Sequence, residues 1–317
     1  MLPALEALKA ADPEGLLHVA VWEEAAPLIE RHPAVDKVWP IPRKAGWLAM
    51  LKIMRAMRDE HFDRSIDFVG NDRGALLSRF VNATERIGVV PPLGFAGRRR
   101  CYHSTRPDPG AGLHQIERDL DLLTLWNIPP NTLEPRIYPD PALAGTAATM
   151  LPPNGVILHL STSQPKKEWP SAYWSRVGDA LEERGLPAFF AAGPGPREQA
   201  LIDALLDHRP YSRRLPPTPD LALYLSILAR ARLFVSCDTG PLHMAAALGV
   251  TTISLFGPSP AWQWQPRASG HVVLVAKSCT CSPHARVCTS DPACMAMLPP
   301  ERVVDELLVM LMRQYTR

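Results

Sequence analysis

No uninterrupted apolar stretch in this sequence approaches the roughly 18 residues of a membrane-spanning helix. The opening MLPALEALKAADPEG carries charges inside a short amphipathic pattern and so does not read as a signal peptide. A cytoplasmic location is the expectation, compatible with peripheral contact to a membrane. Charge of one sign is also missing. The net charge is +2, which gives no global reason to bind nucleic acid and leaves any attraction for anions to a local patch. Lysine is scarce, seven residues in all, so the adjacent pair Lys166-Lys167 stands out. The paired C-x₂-C spacing of a strong zinc site does not occur. Proline is plentiful at 34 residues, yet scattered at element ends, and no segment is repetitive. What is there is 317 residues with 46% hydrophobic content, enough for two domains with cores of their own.

The first half alternates helical and strand periodicity: helix 3–11, strand 16–22, helix 23–31, strand 36–40, helix 46–60, strand 64–69, helix 73–82 and strand 85–89. Such alternation predicts a parallel sheet. A loop-like stretch at 90–112 is followed by a helical spacing in GLHQIERDLDLLTLW, and the proline-rich segment 129–153 reads as a linker. The pattern restarts with strand 155–160, helix 171–184, strand 187–191, helix 196–207 and helix 219–230, and a helix at 300–314 closes the sequence. The single Asp-x-Asp, Asp119 and Asp121, falls in a helical pattern where residues two apart point in different directions. It reads as surface charge rather than as a metal site.

The most informative stretch is RLFVSCDTGPLHMAAALGVTTISLFGPSP, residues 232–260. It reads as strand, tight loop, helix and strand, with Pro241 suited to a first helical turn and Gly249 closing the helix. Asp238, Thr239 and Gly240 then lie at the carboxyl end of a buried strand, where open α/β sheets bind ligands. The helix start at Leu242 and His243 favours an anion such as a diphosphate. An Asp in this place also serves as a helix N-cap.

Asp238-Thr239-Gly240, His243, the small residues Ala245 to Ala247 and Phe256-Gly257-Pro258 together resemble the signature of glycosyltransferase family 9, the bacterial heptosyltransferases of lipopolysaccharide core synthesis. The resemblance implies an α/β protein of GT-B architecture, two Rossmann-like domains facing a cleft. The bounds would be 1–140 for an acceptor-binding domain, 150–300 for a nucleotide-sugar-binding domain, and 300–317 for a closing helix. It implies an inverting enzyme that moves a heptose from a nucleotide diphosphate sugar, ADP-heptose, to a lipid-linked core acceptor at the membrane surface. No metal cofactor and no nucleic acid take part.

On that resemblance HLSTSQPKKEWP, residues 159–170, is the second signature, in which Lys167 holds the donor's phosphates as negative charge develops on the leaving group. Ser161 and Thr162 are further candidate donors of hydrogen bonds, and Trp169 reads as a core anchor. In AAGPGPREQ, Arg197 stands where the family carries a Glu, so contact with the ribose falls to Glu198. Asp238 is expected to accept hydrogen bonds from sugar hydroxyls, and His243 to brace the loop or touch phosphate. Lys44 and the run Arg98, Arg99, Arg100 are candidates for an anionic acceptor. Cys279, Cys281, Cys288 and Cys294 resemble the Cys-rich loop of many family members, and structural thiols without metal are expected.

One departure concerns catalysis. Family members open with a strand and a Gly-Asp loop before the helix that here begins at Leu2-Pro3. A start upstream of Met1, or a gene fragment, is therefore the expectation. The family's general base has no counterpart in these residues, and Asp72 is the candidate carboxylate in its place. The rival readings are a relative using a different sugar or acceptor, a donor-binding protein without catalysis, and a metal-binding module built on the cysteines.

Overall fold

In the computed structural model the chain divides into two compact units, Met1–Pro135 and Arg136–Arg317. Described are residues 1–44, 46–107, 112–209, 212–218, 220–276 and 288–315. Cys279 and Cys281 lie outside them. Among the described residues no helix is long and apolar enough to cross a membrane.

Unit 1 runs α1 (Leu2–Ala11), β1 (His18–Trp22), β2 (Lys37–Ile41), α2 (Trp47–Arg58), β3 (Arg64–Asp67), α3 (Asp72–Val81), β4 (Glu85–Val90), β5 (Ser104–Pro107) and α4 (Gln115–Leu123). All strand pairings are parallel, β1 with β2 in one sheet and β3–β4–β5 in another. The first turn of α1 contains Pro3, which lacks the N–H that a first turn leaves unpaired. Its Ala4 and Ala7 pack with Leu120, Leu123 and the half-buried Ile66 and Phe68, whereas Leu5 packs with Val19, Ile29 and Ala34.

Unit 2 contains α5 (Ala144–Met150), β6 (Val156–His159), α6 (Ser171–Glu182), β7 (Ala188–Ala191), α7 (Pro196–Leu206), β8 (Arg213–Arg214), α8 (Leu221–Leu228), β9 (Leu233–Cys237), α9 (Gly240–Ala247), β10 (Thr252–Phe256), α10 (Ala261–Trp264), β11 (His271–Val275) and α11 (Pro300–Tyr315). Its six parallel strands lie in the order β11-β10-β9-β6-β7-β8. That is the doubly wound arrangement, whose order reverses between β6 and β9. Every residue of β6, β7, β9 and β10 is buried, as expected of a parallel sheet covered on both faces. The period of two sorts them between two cores. Val156, Leu158, Leu233 and Val235 meet Trp174, Val177 and Leu181 of α6 and Val303 and Leu307 of α11. Ile157 and Phe234 meet Ala147 of α5, Ile227 of α8 and Leu242 and Ala245 of α9. Each such aliphatic or aromatic side chain contributes about 1.5–3 kcal/mol on full burial.

The structure corrects several expectations. Residues 23–31 do not form an α-helix; a 3₁₀ turn, Glu23–Leu28, stands there with Pro27 inside it, and proline cannot continue an α-helical ladder. The stretch 90–112 contains β5, whose Ser-Thr-Arg-Pro has no apolar alternation to betray it. The segment 129–153 is not simply a linker, since α5 lies in it and buries Ala147 against α8. Asp119 is not surface charge: it is buried and pairs with the Met1 ammonium and Gln115, while Asp121 on the exposed side pairs with Arg106.

Phe256-Gly257-Pro258 has a packing reason. A Cβ on Gly257 would run into the sulfurs of Met295 and Cys294, both buried in the α6/α11 core. Gly257→Ala is therefore expected to destabilise unit 2 by about 1–3 kcal/mol, the usual cost of overpacking, measured by urea unfolding. An unchanged midpoint would show that the Cys294-Met295 turn yields freely.

Candidate functional site

The order reversal in unit 2 brings two loops together, the one after β6 and the one after β9. In the first, Ser161 and Thr162 are 1% exposed and their hydroxyls are engaged by protein. Ser161 Oγ accepts from the Gly193 amide at 2.8 Å, and Thr162 Oγ1 donates to the Gln164 carbonyl at 2.6 Å. Both hydroxyls thus help to shape the loop. Glu168 Oε1 accepts from the Thr162 amide at 3.1 Å and from Arg197 at 2.8 Å, and Arg197 also donates to the Thr162 carbonyl. Glu198 turns back on its own helix, where its carboxylate accepts from the Gly195 amide at 3.3 Å in a capping box. Trp169 is 3% exposed and donates to the Leu298 carbonyl at 2.9 Å, the anchor expected of it.

This bracing delivers Lys167. Its Nζ donates to Asp238 Oδ2 at 2.8 Å across 71 residues of sequence. The other carboxylate oxygen faces His243 Nε2 at 3.4 Å. Asp238 is not the helix cap, because Thr239 in extended backbone takes that position and α9 begins at Gly240. Burial works against ionisation of Asp238, but hydrogen bonds from His243 and Lys167 outweigh it and hold the carboxyl well below the usual carboxylate range. Asp238 is thus ionised at physiological pH. Thr239, Gly240 and the first turn of α9 sit beside it, with the orphan amides and positive dipole end of a helix start. Fixed cation, helix start and one acceptor carboxylate suit a ligand that carries both phosphate and hydroxyl groups.

Behind the loop, His159 at the end of β6 is 3% exposed, 3.5 Å from the hydroxyls of Ser161 and Tyr224 and beside the Phe234 ring. Nothing in the sequence singled it out.

In unit 1 the turn after β3 carries Asp72. Asp67 pins that turn, accepting from the Val69 and Gly70 amides at 2.9 Å each and from the Tyr102 hydroxyl at 2.7 Å. Gly70 has φ +66°, and a Cβ there would strike the Val89 carbonyl. The helix cap is Asn71, so Asp72 is free of that duty. It pairs instead with Arg98 at 3.1 Å. Arg98 is 5% exposed and also donates to the Pro91 and Leu93 carbonyls, which makes it a loop organiser. Arg99, Arg100 and Lys44 are exposed. Val69 to Asp72, Pro91, Leu93, Gly94 and Arg98 line a pocket. Sequence reasoning passed over Asp67 and Tyr102, whose only signal was a carboxylate at the end of a strand.

Residues 50–293 match the family model for glycosyltransferase family 9 (heptosyltransferase). The chain belongs to that family. It is 30% identical to lipopolysaccharide heptosyltransferase 1 of Pseudomonas aeruginosa over 99% of this chain and 95% of the relative. To lipopolysaccharide heptosyltransferase 3 of Escherichia coli K12 it is 23% identical over 95% and 91%. Among solved structures, a family 9 glycosyltransferase from Veillonella parvula superposes with a TM-score of 0.84 at 16% identity, covering 98% of this chain and 92% of that one. The E. coli heptosyltransferase solved with ADP gives 0.73 at 23% identity, covering 98% and 94%. The fold of this family 9 glycosyltransferase is GT-B, as the motifs implied.

Burial without a compensating charge pushes His159 down from 6.5 to about 4. The folded state holds it neutral while the unfolded chain protonates it near pH 6.5. Stability from this group is therefore complete above pH 6.5 and falls as pH drops toward 4, by about 1.4 kcal/mol per pH unit. Urea unfolding of the wild type and His159→Gln across pH 4–7 should show this extra slope in the wild type alone. Parallel curves would mean that His159 takes up its proton in place.

Proposed function

We propose that this family 9 enzyme transfers a heptose from ADP-heptose to a hydroxyl of the lipopolysaccharide inner core, with inversion and without a metal. The Lys167–Asp238 pair beside the start of α9 carries the reading. Support comes also from the 30% identical relative named as a lipopolysaccharide heptosyltransferase and from the neighbours solved with ADP and with ADP-2-deoxy-2-fluoro heptose. A lipid-linked acceptor places the work at the cytoplasmic face of the inner membrane, with the exposed Lys44, Arg99 and Arg100 available to its anionic groups.

In this mechanism Lys167 and the Thr239–Gly240 helix start hold the diphosphate. They stabilise the charge that grows on it as the glycosidic bond breaks, and being fixed by Glu168, Arg197 and Asp238 they need no reorganisation. Asp238 accepts from the sugar's hydroxyls. Inversion needs a base for the acceptor hydroxyl, and Asp72 is the carboxylate assigned to it. Arg98 alongside orients it.

Calorimetry with ADP in excess chelator is expected to show binding, and Lys167→Ala to weaken it by about 1–3 kcal/mol, the worth of a charge-assisted hydrogen bond. Equal affinities would remove Lys167 from the site, and binding lost in chelator would overturn metal independence. With donor and a lipid A-core acceptor, Asp72→Asn is expected to lower kcat by about 10²–10⁴ while ADP affinity stays unchanged. Undiminished turnover would place the base elsewhere.

A further inference from the structure

Large apolar side chains stand exposed at one edge of unit 1. Trp47 and Leu48 follow β2, Val69 follows β3, and Leu93 and Phe95 follow β4, so all five lie beyond the carboxyl ends of parallel strands. Trp47 is 74% exposed and Leu93 86%. Scattered singly, such residues need no explanation; gathered together they mark a surface that meets something. Contacts between the loops show that they are neighbours. The Trp22 ring at the end of β1 lies 5.0 Å from the guanidinium of Arg43, after β2, and 5.5 Å from that of Arg73, after β3. Asp72, adjoining Arg73, accepts from the Phe95 amide at 3.3 Å.

Positive charge is concentrated in the same segments. The whole chain has a net charge of +2, yet residues 42–58 hold Arg43, Lys44, Lys52, Arg55 and Arg58 with no Asp or Glu, and residues 91–103 hold Arg98, Arg99 and Arg100 with none either. Acids at this edge include Glu23 and Glu24 after β1 and Asp72 after β3; Glu24 pairs with Arg43 and Asp72 with Arg98. On α2, Leu48, Lys52 and Arg55 share the outward face by their spacing of four and three. The loop after β4 is braced. Every residue from 92 to 97 is exposed except in its footing, where the buried Arg98 donates to the Pro91 and Leu93 carbonyls. A buried arginine is thus committed to a loop that presents Leu93 and Phe95 outward.

We propose that this edge of unit 1 docks onto an anionic phospholipid bilayer, with Trp47, Leu48, Leu93 and Phe95 entering the boundary between headgroups and acyl chains. The exposed Lys44, Arg99 and Arg100 beside them meet the lipid phosphates. Charge complementarity selects this occupant, because two acid-free basic segments match a negatively charged headgroup layer. Apolar residues flanked by Lys and Arg repeat the order of an interfacial helix, apolar groups in the acyl boundary and cations among the headgroups. Trp47 is of the residue type enriched at that boundary, with an apolar ring body and one N–H that stays wet. The Asp72 pocket opens within this rim, since Val69 and Leu93 line it, and docking brings it to the lipid surface. The proposal goes beyond the transfer reaction and stands without it.

The test mixes the 317-residue chain with vesicles of phosphatidylcholine, with and without phosphatidylglycerol, and measures bound protein by sedimentation. The vesicles hold neither nucleotide nor core oligosaccharide, so the outcome is separate from that of ADP binding. Far stronger binding to the anionic vesicles is expected, weakening as salt screens the headgroups. The double variants Leu93→Ser/Phe95→Ser and Trp47→Ser/Leu48→Ser are each expected to lower the partition by about tenfold or more. Leu16→Ser, at a site 74% exposed but ahead of β1, should leave it unchanged. Lipids brominated in their acyl chains should quench fluorescence more in the wild type than in Trp47→Phe, a mild change that keeps the test independent of how the serine variants fold. Equal binding to both vesicle types, no binding to either, or the same loss in Leu16→Ser would overturn the proposal, as would equal quenching in Trp47→Phe. A dimer in solution that the Leu93→Ser/Phe95→Ser chain no longer forms would give the face to a second copy instead.

Discussion

The ion pair between Lys167 and Asp238 ties together the loops after β6 and β9, the two strands between which the sheet order of unit 2 reverses. Much of the neighbourhood serves it. Glu168 and Arg197 hold the loop that presents Lys167, Ser161 receives the Gly193 amide behind it, and Trp169 anchors the following helix in the core. The pair is also a constraint on ligands. On the proposed function an incoming diphosphate would share Lys167 with the ionised Asp238, so its binding would draw on the helix start at Gly240 as well. A sugar hydroxyl donating to Asp238 would compensate the carboxylate for the share of Lys167 it loses, which links recognition of the sugar to recognition of the phosphates.

What was legible in the sequence was local. The Asp238-Thr239-Gly240 turn, the small-residue helix and the Phe-Gly-Pro strand end sit within thirty residues, and periodicity alone set them on strand, loop and helix. Lys167 was legible through Trp169-Pro170 next to it. The pairing of Lys167 with Asp238 was not, because nothing in either segment states its distance from the other. The same limit hid the roles of Ser161, Thr162 and Glu198. Hydroxyls and a carboxylate in a phosphate-site loop look alike whether they face a ligand or hold the loop, and here they make the Gly193, Gln164 and Gly195 contacts.

Unit 1 shows the same lesson in reverse. Its alternation of strand and helix was readable, yet β5 was missed for want of apolar residues, and Asp119 looked like surface charge until the Met1 ammonium was found against it. Arg98 belonged to a run of three that reads as one basic patch. Burial separates it from Arg99 and Arg100 and gives it to Asp72 and two carbonyls. Side chains of one type in one short segment can thus divide between a buried structural role and the exposed surface, and only their burial tells them apart.

The central claim is that the Lys167–Asp238 pair marks the diphosphate site. A crystal structure of this chain with ADP tests it most directly. The account predicts diphosphate oxygens within hydrogen-bonding distance, about 2.7–3.2 Å, of Lys167 Nζ and the Thr239–Gly240 backbone, with Lys167 still in reach of Asp238. A nucleotide bound elsewhere in unit 2, with the ion pair untouched, would contradict it.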